Sequence, residues 1–532
     1  MTEPSRLGEP MASAHRTGAS ALRTGTGTAS GASPLPRAEV CETHTAVLFF
    51  VGDRAYKLKK PVDLEFLDFT TLAARRAACE REVTLNRRFA RDVYLGLGEF
   101  HSPEAGADGA EPVVVMRRMP AERRLARLVG EGADVDDALR SVARLLAARH
   151  ADAVRSPDID EQGTRDALSS RWEASFAQVT DMVDDDRLLD EVEEAKRLVR
   201  RYLAGRRQLF DTRIEQGRVV DGHGDLLAQD IFCLDDGPRV LDCLEFDDHL
   251  RYVDGLDDAA FLAMDLEQLG APESAAFFLA RYSEYSGDPA PPSLWHHYVA
   301  YRAFVRAKVS LIQARQGASG AQVASRRLVT TTLRHLRHSA VGLTLIGGLP
   351  GSGKSTLSGA LADRLGVTLL SSDHLRKELA GIPAEQSAAA GYGEGLYTPE
   401  WTNRTYAALL DRASALLSCG ESVVLDATWS DAAQREAALR MAERASVDVV
   451  ALHCQVPGDV SAARLSTRGP GASDADLDVA TAMAAVEAPW DEAVAVDTSG
   501  SLEAAVAQAM AAVRPYGTGK APVFRRPYME PD

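Results

Sequence analysis

Hydrophobic and polar positions change period several times along this chain, and the changes divide it. From Val40 onward a β pattern begins. Thr45–Val51 (TAVLFFV) predicts a strand, Gly52-Asp53 a tight turn, and Arg54–Lys60 (RAYKLKK) a second strand of a hairpin. A helical period follows over roughly Thr71–Arg88, and Val113–Met119 (VVVMRRM) reads as a further strand that stops at Pro120. Residues 121–215 place Leu and Ala at three- and four-residue spacing, the stripe of helices packed on one another. Val219–Phe246 returns to short strands, with a hairpin made by Ile231–Leu234, an Asp-Asp-Gly turn and Arg239–Leu241. Helical spacing resumes to about 315. Gln313–Ala324 is the best linker candidate, and Ser325–His338 predicts a basic connecting helix.

After Val341 the grammar becomes strand, helix, strand, helix, which signals a parallel sheet. Leu343–Ile346 is a continuous apolar run, as expected of a strand buried on both faces. Val367–Leu370, Glu421–Trp429 and Val449–Gln455 repeat it, with helices predicted over Lys354–Leu365 and Asp459–Arg468. Residues 1–38 and the stretch beyond about 515 lack apolar periodicity and are rich in Gly, Pro, Ser, Thr and Arg, the composition of solvated tails.

Composition sharpens this division. The 532 residues are 45% hydrophobic and 26% charged, an ordinary globular balance. A net charge of −17 argues against broad electrostatic binding to nucleic acid or acidic membranes. The six cysteines form no Cys-x-x-Cys pair and read as reduced thiols. With no long apolar run and no apolar leader core, a cytoplasmic protein is expected.

The strongest chemical signal is Leu343–Thr356, LTLIGGLPGSGKST. Gly348-Leu349-Pro350-Gly351-Ser352-Gly353-Lys354-Ser355-Thr356 is a Walker A loop between a predicted strand and a predicted helix. Its glycines let successive backbone N–H groups face one anion, Lys354 reaches terminal phosphates, and the Ser355 hydroxyl can ligate Mg2+. The next strand delivers Asp373 and Arg376 at its carboxyl end, where open α/β sheets bind ligands. There Asp373 can accept a hydroxyl proton and Arg376 can hold an acceptor or phosphate. Asp426 closes the VVLD strand as a Walker-B-like metal or acceptor ligand. Arg464 and Arg468, four residues apart, share a helix face suited to a lid over developing charge.

A second constellation lies upstream. Lys57 and Lys59 share one strand face, and Glu80 and Glu82 sit on the helix that follows. His223-Gly224-Asp225 is followed five residues later by Asp230, and the hairpin after it ends at Asp242. An Asp to orient a hydroxyl, a metal ligand five residues on and a second metal-binding Asp after a short hairpin form the grammar of a phosphotransferase catalytic loop.

The motifs HGDL, LDCLEFDD, ETH at 42–44, AYKLKKPVDLEFLDF at 55–69 and LNRR at 85–88 resemble the aminoglycoside-phosphotransferase-like family, in the branch fused to a C-terminal P-loop kinase. The resemblance covers roughly 40–320. It implies a protein-kinase-like bilobal fold, with Asp225 as catalytic Asp, Asp242 as metal Asp, Lys57 or Lys59 as phosphate lysine and Glu82 as its partner. Two positions depart from the pattern. Asp230 stands where Asn is usual, and Leu227 where this branch commonly has His. Across about 341–500, GLPGSGKST, SSDHLRKEL, VVLDATW and RLSTRGPGASDADLDV resemble gluconate-kinase-like and polynucleotide-kinase-like P-loop proteins.

The expected fold class is therefore mixed α/β and α+β: a bilobal domain over 39–318 (small lobe about 40–119, large lobe about 120–318) and a doubly wound parallel-sheet P-loop domain over 340–515. Residues 319–339 are the expected linker and connecting helix. The expected activity is transfer of the ATP γ-phosphoryl group to a hydroxyl of a small molecule, with Mg2+. Rival readings are an ATP-dependent switch or scaffold with a degenerate first domain, and a polynucleotide 5′-hydroxyl kinase, which the acidic charge disfavours. Acceptor identity and oligomeric state are not encoded in these motifs.

Overall fold

The computed structural model describes residues 38–513 except 44, 65–66, 102–109, 184, 384–385, 387–390, 392 and 468–476. Residues 1–37 and 514–532, which contain nearly all of the expected tails, lie outside the described residues, as does Arg468.

The first part of the chain builds a five-stranded antiparallel sheet. Its spatial order is Glu39–Glu42, Ala46–Val51, Arg54–Lys59, Ala110–Arg117 and Tyr94–His101. The hairpin and lysine strand sit where the alternation predicted them, turning at Gly52. The Tyr94–His101 strand was not singled out in the sequence; two glycines (Gly96, Gly98) interrupt its alternation, and a register shift falls between Tyr94 and Gly96. The Leu72–Asn86 helix, capped by Thr71 accepting from the Ala74 N–H, packs on this sheet through Cys79 and Val83. The same small core takes in Phe232 and Leu241 of the downstream hairpin, which fixes the two lobes against each other.

A helical lobe follows. Its axis is the Pro292–Arg315 helix, whose buried residues occur all around its circumference, as they must in a helix enclosed by others. The expected connecting helix exists as Ala321–His338, but it is not a free spacer. Leu328, Val329, Leu333 and Leu336 are buried in the lobe's main core, and Arg337 pairs with Glu194 on the Asp186–Ala204 helix. Its basic residues are the solvated and ion-paired side of an amphipathic helix.

The last part is a parallel five-stranded sheet in the order Thr368–Ser371, Val423–Asp426, Gly342–Gly347, Asp448–Gln455 and Val494–Asp497. The central Gly342–Gly347 strand is buried throughout, matching its unbroken apolar run. The helical lobe meets this sheet where its strands begin. Ser293 donates to the Gly420 carbonyl at 2.7 Å, just ahead of the Val423–Asp426 strand. Arg206, 1% exposed, donates to the Ala445 carbonyl at 3.0 Å, and Arg201 pairs with Asp448 at 2.6 Å. Because the strands are parallel, their carboxyl ends, which carry the P-loop, point away from this junction.

Gly205 makes the junction possible: a Cβ there would stand 2.0 Å from the Ala445 carbonyl oxygen. That oxygen belongs to backbone and has no rotamer by which to withdraw. Gly205→Ala is therefore expected to destabilise the full chain by about 1–3 kcal/mol. Calorimetry should show a melting temperature lowered by several degrees; an unchanged melting profile would refute this account of the junction.

Candidate active sites

The P-loop site grows out of the Gly342–Gly347 strand. Gly351 and Gly353 adopt left-handed φ values of 80° and 86°, which curl the loop so that it leads into the Lys354–Leu365 helix. A Cβ on Gly351 would also come within 2.5 Å of the Ser461 hydroxyl, and that hydroxyl donates to the Pro350 carbonyl at 3.0 Å. Lys354 opens the helix and is buried although charged.

Asp426 pairs in register with both Ile346 and Ser371, between the P-loop strand and the strand that delivers Asp373. Burial raises its pKa, and the opposing influences are the Lys354 charge and the Ser355 hydroxyl; Asp373 acts on it as a like charge. Its Oδ1 is buried without a hydrogen-bond partner. A serine hydroxyl beside an incompletely satisfied carboxylate, flanked by a lysine, is a donor set that suits Mg2+ carried in with a triphosphate. Among the described residues no group of three or more His, Cys, Asp or Glu side chains could hold a metal ion by itself.

Asp373 and Arg376 lie on the Ser372–Leu379 helix. Arg376 is buried, donates to the Leu396 carbonyl at 3.0 Å and stacks over the Tyr397 ring at 4.7 Å. Tyr406 is influenced electrostatically by both Arg376 and Asp373, and its hydroxyl meets Thr428 Oγ1 and the Trp429 N–H at 3.2 Å each. Trp429 holds a positive φ of 55°, unusual for a bulky residue, with Tyr406 edge-on to its ring.

Arg464 is found on the outer shoulder of the loop. It donates to the Thr498 carbonyl at 2.7 Å and the Gly351 carbonyl at 3.4 Å. Thr498 in turn donates to the Ser352 carbonyl. Together with Lys354, Ser355 and Gly500–Leu502 they line a cavity of about 360 Å³. Arg464 thus braces the loop and borders the cavity, while Arg468 lies outside the described residues. Arg435 donates to the carbonyls of Trp429, Ala488 and Pro489 and is wholly structural in its contacts.

The upstream site assembles between the lobes. Both lysines converge on Glu82, which is buried on the Leu72–Asn86 helix. Lys57 Nζ lies 2.9 Å from one carboxylate oxygen and Lys59 Nζ 2.6 Å from the other. Lys57 also pairs with Asp242 at 2.7 Å, whereas Lys59 pairs with Glu245. The ambiguity between the two lysines therefore resolves by geometry: Lys57 faces the Asp242 side, and Lys59 is a buried strut. Burial opposes charge on both lysines, but the carboxylates around them outweigh it and raise both pKa values. Burial likewise opposes charge on Glu82, and the lysines hold its pKa down. Asp242 has a left-handed φ of 64° and its N–H donates to the Tyr94 hydroxyl at 3.1 Å.

The His223–Asp230 loop is pinned by two acids of the Gly255–Gln268 helix. Asp258 accepts the N–H groups of His223 and Gly224 at 2.6 and 2.9 Å, and Asp265 accepts that of Ala228 at 2.8 Å. Burial pushes the Asp225 carboxyl up to about 7, against Arg306. Burial together with Asp242 and Asp225 raises Asp230 strongly. Leu227 is buried in the main core, so the position where His was expected packs rather than reaches out. Asp225 and Asp242 act on Asp230 as like charges, and Asp230 and Asp242 are the pair that could hold a divalent cation brought in with a triphosphate.

Tyr94, Glu245, Asp258, Asp265, Thr498 and Tyr406 were not selected from the sequence. Only Thr498 carried a usable signal, as a polar residue just past the Val494–Asp497 strand end. The others are placed by tertiary contacts.

Residues 343–489 match the AAA domain family, which makes the C-terminal part a P-loop nucleotide-binding domain of that kind. The chain is 43% identical over 474 residues to uncharacterized protein Rv2004c of Mycobacterium tuberculosis (strain ATCC 25618 / H37Rv), covering 89% of this chain and 95% of that protein. The corresponding Mycobacterium bovis protein matches equally. This chain belongs to their family. Among solved structures, it is similar to a choline/ethanolamine kinase family protein from Mesorhizobium loti (16% identity, 57% of this chain and 92% of that one, TM-score 0.37). It is also similar to a gluconokinase from Sinorhizobium meliloti (25% identity, 32% and 90%, TM-score 0.24). Among the described residues no helix is long and apolar enough to cross a membrane.

The raised Asp225 pKa makes stability depend on pH. In metal-free buffer the folded protein keeps this proton to about pH 7, whereas an unfolded Asp releases it near 3.8. Between these values the folded state binds more protons, so this group's contribution to stability falls as pH rises. Asp225→Asn should remove that part of the slope and gain stability over wild type above pH 7. Urea unfolding across this range measures it; parallel wild-type and variant curves would contradict the assignment.

Proposed function

We propose that the protein is an ATP-dependent phosphotransferase that moves the γ-phosphoryl group to a hydroxyl of a small molecule, built as modules over about 39–318 and 340–515. The observation that carries the reading is the convergence of Lys354, Ser355, Asp426 and Asp373 at the carboxyl end of one parallel sheet. In this arrangement the P-loop amides and Lys354 hold the β- and γ-phosphates. Ser355 and Asp426 would hold Mg2+, which supplies charge neutralisation when bound. Asp373 orients the acceptor hydroxyl and accepts its proton, and Arg376 positions the acceptor. Arg464 keeps the loop in its anion-binding shape and borders the nucleotide cavity; Arg468 is proposed as a further positive charge for the transferring phosphoryl group.

The upstream module is proposed as a second ATP site. Lys57 grips phosphates with Glu82 as its support, Asp242 and Asp230 would hold Mg2+, and Asp225 orients a second acceptor hydroxyl. One observation favours a narrower role for this module, as a nucleotide-binding switch: Lys57 is engaged by Asp242, and Asp230 adds a charge where an amide is usual. Nucleotide must displace that pair before transfer can begin. The net charge of −17 supports a small-molecule acceptor over a polynucleotide.

The test uses the full chain, because the junction at Gly420 and Ala445 is part of the P-loop module's support. Labelled ATP is supplied with a panel of sugars, sugar acids, aminoglycosides and 5′-hydroxyl oligonucleotides. Lys354→Ala and Asp373→Asn are each expected to lower transfer at the P-loop site by about 10²-fold or more. Asp225→Asn should spare that activity and remove only transfer from the first module. Undiminished acceptor-dependent turnover in Lys354→Ala and Asp373→Asn would sink the P-loop assignment. If Asp225→Asn changes no product, the first module is the switch.

A further inference from the structure

Two neighbouring helices run past the His223–Asp230 loop, and their charges are matched in steps. The Gly255–Gln268 helix carries Asp257, Asp258 and Asp265; the Pro292–Arg315 helix carries Arg302 and Arg306, one turn apart. Asp258 and Asp265 are committed to backbone N–H groups of the loop. Arg302 is committed to Asp257 through two parallel bonds of 2.8 and 2.9 Å. Arg306 breaks the pattern. Its Nη1 is buried without a hydrogen-bond partner, and the side chain as a whole is half-buried. It is also the strongest positive charge acting on Asp225, ahead of Arg302, and it acts on Asp265.

A buried guanidinium nitrogen with no partner is costly to keep in a folded protein. Charge balance with Asp225 and Asp265 does not require the missing bond, since a lysine or a solvated arginine would provide the charge. A forked donor with a buried, unpartnered nitrogen, whose charge acts on the carboxylate proposed to orient the acceptor hydroxyl, has a natural complement in a planar or tetrahedral oxyanion. We propose that Arg306 is a specificity-determining residue of the first module, and that this module's ligand carries a carboxylate or phosphate group a few atoms from the hydroxyl that meets Asp225. The proposal rests on Asp225 as the acceptor-orienting group. It adds that neutral alcohols are poor ligands, because they leave the buried Arg306 Nη1 without a partner.

Full-length protein carrying Lys354→Ala, which disables the strong anion site of the P-loop, is titrated with inorganic phosphate and followed by saturable line broadening in phosphorus NMR. Binding is expected, and Arg306→Gln should weaken it on the order of tenfold or more. Absence of saturable broadening, or broadening that survives Arg306→Gln, overturns the proposal. If the Gln variant does not fold, Arg306→Lys decides: it keeps the charge but loses the fork, so several-fold weaker binding supports the proposal and undiminished binding overturns it. Sugar acids and sugar phosphates against the matching neutral sugars separate carboxylate from phosphate as the recognised group. The underlying reading fails separately: transfer by the Lys354→Ala protein that survives Asp225→Asn removes Asp225 from its role, while the phosphate titration still decides Arg306.

Discussion

Two backbone carbonyls, those of Gly420 and Ala445, hold this molecule together as one unit. They lie in the turns that feed the two strands flanking the central Gly342–Gly347 strand of the parallel sheet, and both are taken up by side chains of the helical lobe, Ser293 and Arg206. Buried carbonyls without donors are costly, so these bonds fix the register of lobe against sheet. The consequence is directional. A parallel sheet has a beginning and an end, and anchoring its beginning leaves the end with the P-loop open. The same main core contains Trp172 and Phe304 of the helical lobe and Leu343, Val423 and Met441 of the P-loop module. The P-loop module therefore depends on its neighbour for part of its core.

The upstream site obeys a different constraint, the cost of burying charge. Glu82 is fully buried with two lysines on it, an arrangement that stands only because Asp242 and Glu245 lie beyond them. Removing one member leaves an uncompensated buried charge, which is far more destabilising than the intact network is stabilising. Lys59, paired to Glu82 and Glu245, accordingly belongs to the scaffold, and Lys57, paired to Glu82 and Asp242, is the lysine proposed for the chemistry, though they occupy equivalent places on one strand. The same economy explains Asp225: pinned by a loop whose amides are already satisfied by Asp258 and Asp265, it has little to stabilise its own charge.

Much of this was legible beforehand, for identifiable reasons. Walker A, the lysine hairpin and the His-Gly-Asp loop are local: their chemistry resides in consecutive residues, so periodicity and spacing reveal them. The parallel sheet announced itself because strands buried on both faces read as apolar runs. What escaped was decided by tertiary contact. Asp258 and Asp265 look like ordinary helix acids until the loop they hold is folded against them. Ala321–His338 reads as a basic connector because its arginines are conspicuous and its buried Leu and Val positions are not. The choice between Lys57 and Lys59 could not be made from a strand face that presents both.

The two sites differ most in what stands ready for nucleotide. Around the P-loop the groups proposed to receive phosphate are preset: Lys354 is in place, Asp426 retains an unpartnered oxygen, and the bracing bonds of Arg464 and Thr498 run to the loop carbonyls of Gly351 and Ser352. Upstream, Lys57 and Asp242 are paired with each other. An ion pair that is half closed to solvent must be broken before either member can serve a nucleotide, so part of the binding energy there goes into opening it. Under the proposed assignment of both sites to ATP, and at equal contact with it, the P-loop site is the tighter of the two. The same assignment makes the upstream site respond more steeply to whatever else weakens the Lys57–Asp242 pair, including the charge of the ligand proposed for the Asp225 side.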